Sequence, residues 1–323
     1  GSKGSPMAQL QITRFGGVDV LQLTEKQLPP PADDQVLLEV LFASVNPVDA
    51  KTRAGLGWAA QKFKDELPWT PGFDVAGIVQ ATGEGVTNLQ VGDRVCGMTF
   101  AGGSYASSVL VNASDLLPVP AKMTHAQAAA LPLAGLTAWQ GLFEHGQLQS
   151  GETVLISAAA GGVGHIAVQL AKQAGATVIA TASEANHDFL LTLGADKVVD
   201  YHDEAAMSAL AGQIDLVFDL VGFDSGLAAL ALLKAGGRQV TVPTVAVPAI
   251  KEVAETQGKN VTGMLVHPDT ESLAKLLALC AAGKLQVHVS RIYPLADGAK
   301  AHQAIESGRT RGKLLLDPRG QEK

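Results

Sequence analysis

Cysteine is nearly absent: the 323 residues hold two, Cys96 and Cys280. Far apart in the chain, they cannot form a cysteine-rich zinc knuckle, and a reducing compartment keeps both as thiols. Charge is sparse as well, at 17% of residues, with 24 Lys plus Arg against 31 Asp plus Glu for a net charge of −7 and no basic block. That balance argues against nucleic acid or an anionic membrane surface as a partner and leaves small molecules as the expected ligands. No apolar run reaches the roughly 18 residues that a spanning helix needs, because Gly, Pro or a charge interrupts each one. With no signal-peptide pattern ahead of the fold, a cytoplasmic location is expected. The opening GSKGSP, residues 1–6, reads as a vector-derived remnant, with Met7 as the natural start.

Glycine is abundant, at 35 residues, and 47% of the chain is hydrophobic, enough for about two domains of ~100–200 residues that need no disulfide or metal staple. The first third is strand-rich: Val36–Val45, Phe73–Ala81, Val91–Met98 and Ser104–Val111 alternate or run apolar between Pro, Gly and Asp breakers, as in a small β-barrel-like domain. From Thr153 the pattern becomes apolar strands alternating with helices, the mark of parallel βαβ units. Six strands are expected: Thr153–Ala158, Thr177–Thr181, Lys197–Tyr201, Ile214–Leu220, Arg238–Val242 and Asn260–Val266. Helices such as Gly164–Gln173 and Gly226–Lys234 separate them. The fold class is therefore α/β, with a doubly wound six-stranded parallel sheet. After Asp269 come an amphipathic helix through Ala281, strand-like Gln286–Ile292 and Lys313–Leu316, and a helix at Asp297–Ser307. With no seventh βαβ unit, this tail is expected to return to the first domain, which becomes discontinuous.

Strand Thr153–Ala158 runs into Ala159-Ala160-Gly161-Gly162-Val163-Gly164 and then a helix. Missing side chains at such a turn let a pyrophosphate approach the backbone, where the free N–H groups and dipole of the helix N-terminus favour an anion. The strict G-x-G-x-x-G spacing is not met, and a glycine-rich turn alone is as often only a turn. Its place after the first of six strands points to a dinucleotide. Further cofactor contacts are expected beyond the carboxyl ends of the other strands, at Val221, Val242, Pro243, Thr244, Met264, Leu265 and Val266.

Seven stretches carry a family resemblance in order along the chain: Asn46-Pro47-Val48-Asp49, Pro71–Gly77, Val91–Val95, Gly103–Ala106, Ala128–Pro132, Ala159–Gly164 and Leu193–Asp196. The sequence resembles the medium-chain dehydrogenase/reductase superfamily and, within it, the zinc-free quinone oxidoreductases related to zeta-crystallin. The resemblance implies a GroES-like catalytic domain, residues 7–130 and 269–323, interrupted by a Rossmann domain, residues 131–268. Zinc alcohol dehydrogenases of the superfamily place Cys where Asn46 stands, His-Glu where Phe73-Asp74 stand, and a four-Cys lobe after Val95. None of these ligands occurs here, so no zinc is expected.

Without a metal the chemistry falls to a nicotinamide, and a quinone or an α,β-unsaturated carbonyl is the expected acceptor because it delocalises the charge that a hydride brings. An unactivated ketone would lack its Lewis acid. By resemblance, Asn46 faces the nicotinamide or a substrate oxygen; its alternative is a turn residue before Pro47. Thr137 matches the family threonine beside the nicotinamide, or bonds a helix carbonyl. Tyr105 lines the pocket, or packs in the barrel. Lys51 lies near the cofactor in family terms, or on a solvated turn.

The second strand ends Ala180-Thr181-Ala182-Ser183 with no carboxylate for a ribose 2′-hydroxyl, which favours NADPH over NADH. Ser183, Asn186 and the family-matched Tyr201 are placed around a 2′-phosphate. Against this, Glu184 follows Ser183, and the family's basic residue is replaced by Asn186 or His187; Arg309, Arg311 or Lys313 from the tail are the alternative sources of charge. A homodimer paired through the edge strand Asn260–Val266 is expected. The competing reading is a dinucleotide-binding regulatory or structural relative with little turnover. A carrier-linked enoyl reductase is disfavoured by the absence of carrier domains.

Overall fold

In Gln35–Val45, Val36, Leu38 and Val40 are buried while Gln35, Leu37 and Glu39 are half-exposed, the period of two that seats one face of a strand on a core. The computed structural model describes residues 7–320; the expected vector remnant lies outside them. Along the described chain run Met7–Gln11 (β1), Gln22–Lys26 (β2), Gln35–Val45 (β3), Asp74–Thr82 (β4), Arg94–Met98 (β5), Ser108–Asn112 (β6), Leu116–Pro118 (β7), Thr153–Ile156 (β8), Thr177–Thr181 (β9), Lys197–Val199 (β10), Ile214–Asp219 (β11), Leu233–Thr241 (β12), Asn260–Gly263 (β13), Val289–Pro294 (β14) and Lys313–Asp317 (β15).

The chain divides into two units: residues up to Leu133 together with Pro268 onward, and Ala134–His267. The first holds a sheet in the order β14-β15-β3-β4-β5-β7, with β6 also on β3. All its pairings are antiparallel except β14 with β15. The tail strand β15 pairs with β3, Leu314 opposite Val45, which places Lys313 at the end of β3. Val40, Val75, Val95, Val109, Leu314 and Leu316 share one apolar core.

The second unit is a six-stranded sheet in the order β10-β9-β8-β11-β12-β13, every pairing parallel. The order reverses between β8 and β11, and open α/β sheets bind ligands at such a switch point, outside the carboxyl ends of the strands.

Several boundaries differ from the sequence reading. The expected helix Gly226–Lys234 is Phe223–Ala229 followed by a 3-10 turn, and β12 starts at Leu233. Leu233 is buried opposite Ile214, and Lys234 reaches Asp215 at 3.2 Å, so pairing with β11 captures both residues. Residues 104–107 are not strand, because the chain turns at Gly103 (φ 105°) and the Tyr105 N–H donates to the Pro71 carbonyl. The stretch from Gly55 to Pro71 contains the helix Gly57–Phe63, fixed by Phe63 stacking on Trp69 with ring centres 4.7 Å apart. The sixth strand ends at Gly263 rather than Val266 and is a sheet edge.

Candidate active site

Helix Gly162–Gln173 follows β8, and no side chain caps its N-terminus. The N–H groups of its first turn, Gly162, Val163 and Gly164, have no acceptor within the helix, and the helix dipole makes this point favourable to an anion. The loop is fixed from behind. The Ala159 N–H donates to the Thr181 carbonyl at 3.0 Å, and the Gly161 N–H donates to the Ala158 carbonyl at 3.2 Å. Ala158 is exposed with φ 46°, a conformation costly for a residue with a Cβ. A Cβ on Gly164 would lie 2.5 Å from the Ala158 oxygen, so only glycine lets the helix start this close to the strand. His165 is buried, its Nδ1–H donating to the Gly161 carbonyl at 2.8 Å, which makes it a brace of the turn.

At the ends of β9 and β10, the Ala182 N–H donates to the Val199 carbonyl at 3.1 Å, bringing two loops together. Ser183 is exposed and accepts from Asn186 Nδ2 at 3.2 Å. Tyr201 is 55% exposed, with its ring against His202. Glu184 is exposed beside Ser183, and the His187 ring bonds the Ala182 carbonyl. At the ends of β11, β12 and β13, Val221 and Leu265 are exposed, Val242, Thr244 and Val266 are half-exposed, and Pro243 and Met264 are buried. Thr137 is buried in the helix Pro132–Trp139 of this unit.

In the first unit, Asn46 caps helix Pro47–Arg53 and belongs to a buried polar cluster. Its backbone N–H donates to Asp49 Oδ2 at 2.9 Å, and Asp49 Oδ1 accepts the Gly72 N–H at 2.8 Å. Asn46 Nδ2 donates to Asp74 Oδ2 at 3.0 Å, and Asp74 Oδ1 accepts the Leu133 N–H at 2.8 Å. Lys313 Nζ donates to Asn46 Oδ1. Burial pushes the Asp49 carboxyl up to about 7, against the pull of its two backbone N–H donors. Burial pushes Asp74 up to about 6, against the pull of Lys313. Burial also lowers Lys313. Burial thus raises both carboxyls and lowers the ammonium, as expected for an ionic cluster taken out of water.

Lys313 was one alternative source of charge for a 2′-phosphate; its ammonium is committed instead to this cluster. Tyr105 is fully buried, its hydroxyl 3.0 Å from His302 Nε2. Burial drops His302 to about 3, which leaves the imidazole neutral. Lys51 is exposed on the last turn of helix Pro47–Arg53. Asn46 and Lys51 belong to the first unit and Thr137 to the second. Sequence reasoning missed the joint role of Asp49, Asp74 and Lys313. The available signal was a lysine heading the apolar run Lys313-Leu314-Leu315-Leu316.

Among the described residues, no group of three or more His, Cys, Asp or Glu side chains is placed to hold a metal ion. Asp74, at one zinc-ligand position of the alcohol dehydrogenases, has both carboxylate oxygens bonded within the protein.

Comparison with known proteins places the geometry. Residues 32–121 match the family described as alcohol dehydrogenase GroES-like domain, and residues 193–316 match that described as zinc-binding dehydrogenase. A quinone oxidoreductase from Coxiella burnetii is 40% identical, with a TM-score of 0.93, covering 97% of this chain and 99% of that one. The Escherichia coli quinone oxidoreductase, solved in complex with NADPH, is 31% identical with a TM-score of 0.89, covering 96% and 100%. The 2-methylene-furan-3-one reductase of Solanum lycopersicum is 35% identical, covering 97% of this chain and 80% of that protein. The chain belongs to the quinone oxidoreductase family of the medium-chain dehydrogenase/reductase superfamily.

Proposed function

We propose that the protein is an NADPH-dependent oxidoreductase that reduces quinones or α,β-unsaturated carbonyls. The observation that carries this reading is the uncapped N-terminus of helix Gly162–Gln173, set at the switch point of a six-stranded parallel sheet. The amides of Gly162, Val163 and Gly164 would hold the pyrophosphate, and Gly161, whose N–H is bonded to Ala158, would leave room for its approach. Ser183, Asn186 and Tyr201 would surround a 2′-phosphate. No carboxylate stands on β9, and the complex with NADPH formed by the Escherichia coli relative supports the same choice. Val221, Val242, Pro243, Thr244, Met264, Leu265 and Val266 would line the nicotinamide half. When bound, the reduced nicotinamide supplies a hydride.

Asn46 and Thr137 are the proposed polar groups for the nicotinamide or the substrate oxygen. Asn46 has one Nδ2 hydrogen beyond its bond to Asp74, and Lys313 fixes the amide from its oxygen side. The names of the relatives support both acceptor classes: quinones in one set, an unsaturated ketone in the other. A cytoplasmic location is part of the same proposal.

Catalysis is proposed to need no zinc. Exhaustive chelation is expected to leave turnover unchanged with substoichiometric metal in the protein; stoichiometric zinc whose removal abolishes turnover would falsify this. A homodimer is proposed through β13, which is a short edge strand with one face of the ladder unpaired. Sedimentation at micromolar concentration should give twice the chain mass, and a monomer alone would contradict it.

A further inference from the structure

We propose that Asp219, acting with Ser157 and Thr241, is a positioning residue for the nicotinamide half of the dinucleotide site; the inference rests on the cofactor reading above. Asp219 ends β11 and is buried. Its Oδ1 accepts two backbone N–H groups of the following turn, from Val221 at 3.0 Å and Gly222 at 2.8 Å. Its Oδ2 accepts the hydroxyl of Thr241, the last residue of β12, at 2.9 Å. On the other flank, Ser157 Oγ, one residue beyond β8, accepts the Leu220 N–H at 2.9 Å. Side chains therefore strap together the carboxyl ends of the three central strands, and from those ends run the glycine turn and the loops at Val221 and Val242.

The turn that Asp219 holds is strained. Gly222 has φ 74° and Phe223 φ 51°. Phenylalanine pays for a left-handed conformation, and here it is 58% exposed, so burial of its ring does not offset the cost. The restraint comes from below. The carboxylate grips the two N–H groups ahead of Phe223, and helix Phe223–Ala229 is seated so closely that a Cβ on Gly226 would lie 2.4 Å from Asp219 Oδ2. The same packing fixes Gly222, whose Cβ would meet that of Ala246 at 2.6 Å. A strained, exposed turn held by buried hydrogen bonds at a binding edge is a preorganised contact surface rather than a packing device.

The placement makes the effect selective. A doubly wound sheet is two mononucleotide-binding halves. Ser183 and Tyr201 follow β9 and β10 in one half, whereas Asp219 and Thr241 end β11 and β12 in the other. Loosening the turn should therefore weaken ligands that reach the second half and spare those that occupy only the first.

Dissociation constants for NADPH and for its adenosine-side fragment 2′,5′-ADP separate these cases. Asp219→Ala is expected to weaken NADPH about tenfold or more, the effect of two turn N–H groups losing their acceptor, and to leave 2′,5′-ADP within about twofold. Asp219→Asn is expected to recover most of the NADPH binding lost in Asp219→Ala, because its amide oxygen accepts the same N–H groups, while its NH2 donates to a rotated Thr241 hydroxyl and displaces the weaker Gln239 contact at 3.4 Å. Should Asp219→Ala not fold, Thr241→Val and Ser157→Ala carry the test, with NADPH weakened about threefold and the fragment unchanged. Equal weakening of both ligands, or unchanged NADPH binding, overturns the inference. If the wild-type protein binds neither ligand, it is the cofactor reading that fails.

Discussion

Gly164→Val is expected to abolish measurable NADPH binding and to destabilise the protein by about 3 kcal/mol, an overpacking cost with no soft neighbour to absorb it. A Cβ there would lie 2.5 Å from the Ala158 oxygen, 2.6 Å from the Ala159 Cα and 2.7 Å from the Ala159 oxygen. All three are backbone atoms of the turn, and that turn is tied to β9 through Ala159 and Thr181. The helix would have to lift away from β8, carrying the amides of its first turn with it. Gly162→Val provides the contrast. Gly162 begins the same helix but is half-exposed, so its added side chain should obstruct the pyrophosphate more than the fold, weakening NADPH roughly tenfold with little change in Tm. Titration calorimetry and thermal melts of the two variants check both arms. A Gly164→Val protein that binds NADPH like wild type removes this loop from the site.

Lys313→Met is expected to cost about 3–5 kcal/mol at pH 8, the range for removing one partner from a buried ionic cluster, and much less at pH 5. The direction follows from the carboxyls. Asp49 and Asp74 are raised by burial to about 7 and about 6, well above the usual carboxylate range. A raised acid favours the folded state below its unfolded value, and that contribution is lost as pH climbs through the folded value. Protonated at pH 5, the two groups need no cation. Ionised at pH 8, they depend on Lys313, whose strand brings it to Asn46. Denaturant unfolding of wild type and variant at the two pH values tests this. A penalty independent of pH would show that Lys313 contributes packing alone.

The two cases show what local pattern could and could not carry. The glycine turn was readable because Gly161, Gly162 and Gly164 follow an apolar strand directly, and a strand-to-helix turn is a local object. The parallel sheet was readable because strand and helix periods alternate between Thr153 and Val266, although ladder partners moved the ends: Lys234 went to β12 and Tyr201 out of β10. The polar cluster was not readable. It joins Asn46 to a lysine 267 positions away through the β3 and β15 pairing, and nothing near either residue announces the other. Tyr105 was equally silent, since its partner His302 lies 197 positions on. Asp219 reads locally as a strand end, and its proposed role emerges only when the following turn and the neighbouring strand β12 converge on one carboxylate.

The central claim is that the second unit presents NADPH for reduction of an activated acceptor. Its most direct test is steady-state turnover of the purified protein with NADPH and with NADH against a naphthoquinone and an α,β-unsaturated ketone, followed by loss of the reduced-nicotinamide absorbance. The account predicts oxidation of NADPH by at least one acceptor with a kcat/KM above that for NADH. No oxidation with any acceptor would return the protein to a binding role, and a higher kcat/KM for NADH would make Glu184, beside Ser183, the ribose ligand in place of a 2′-phosphate site.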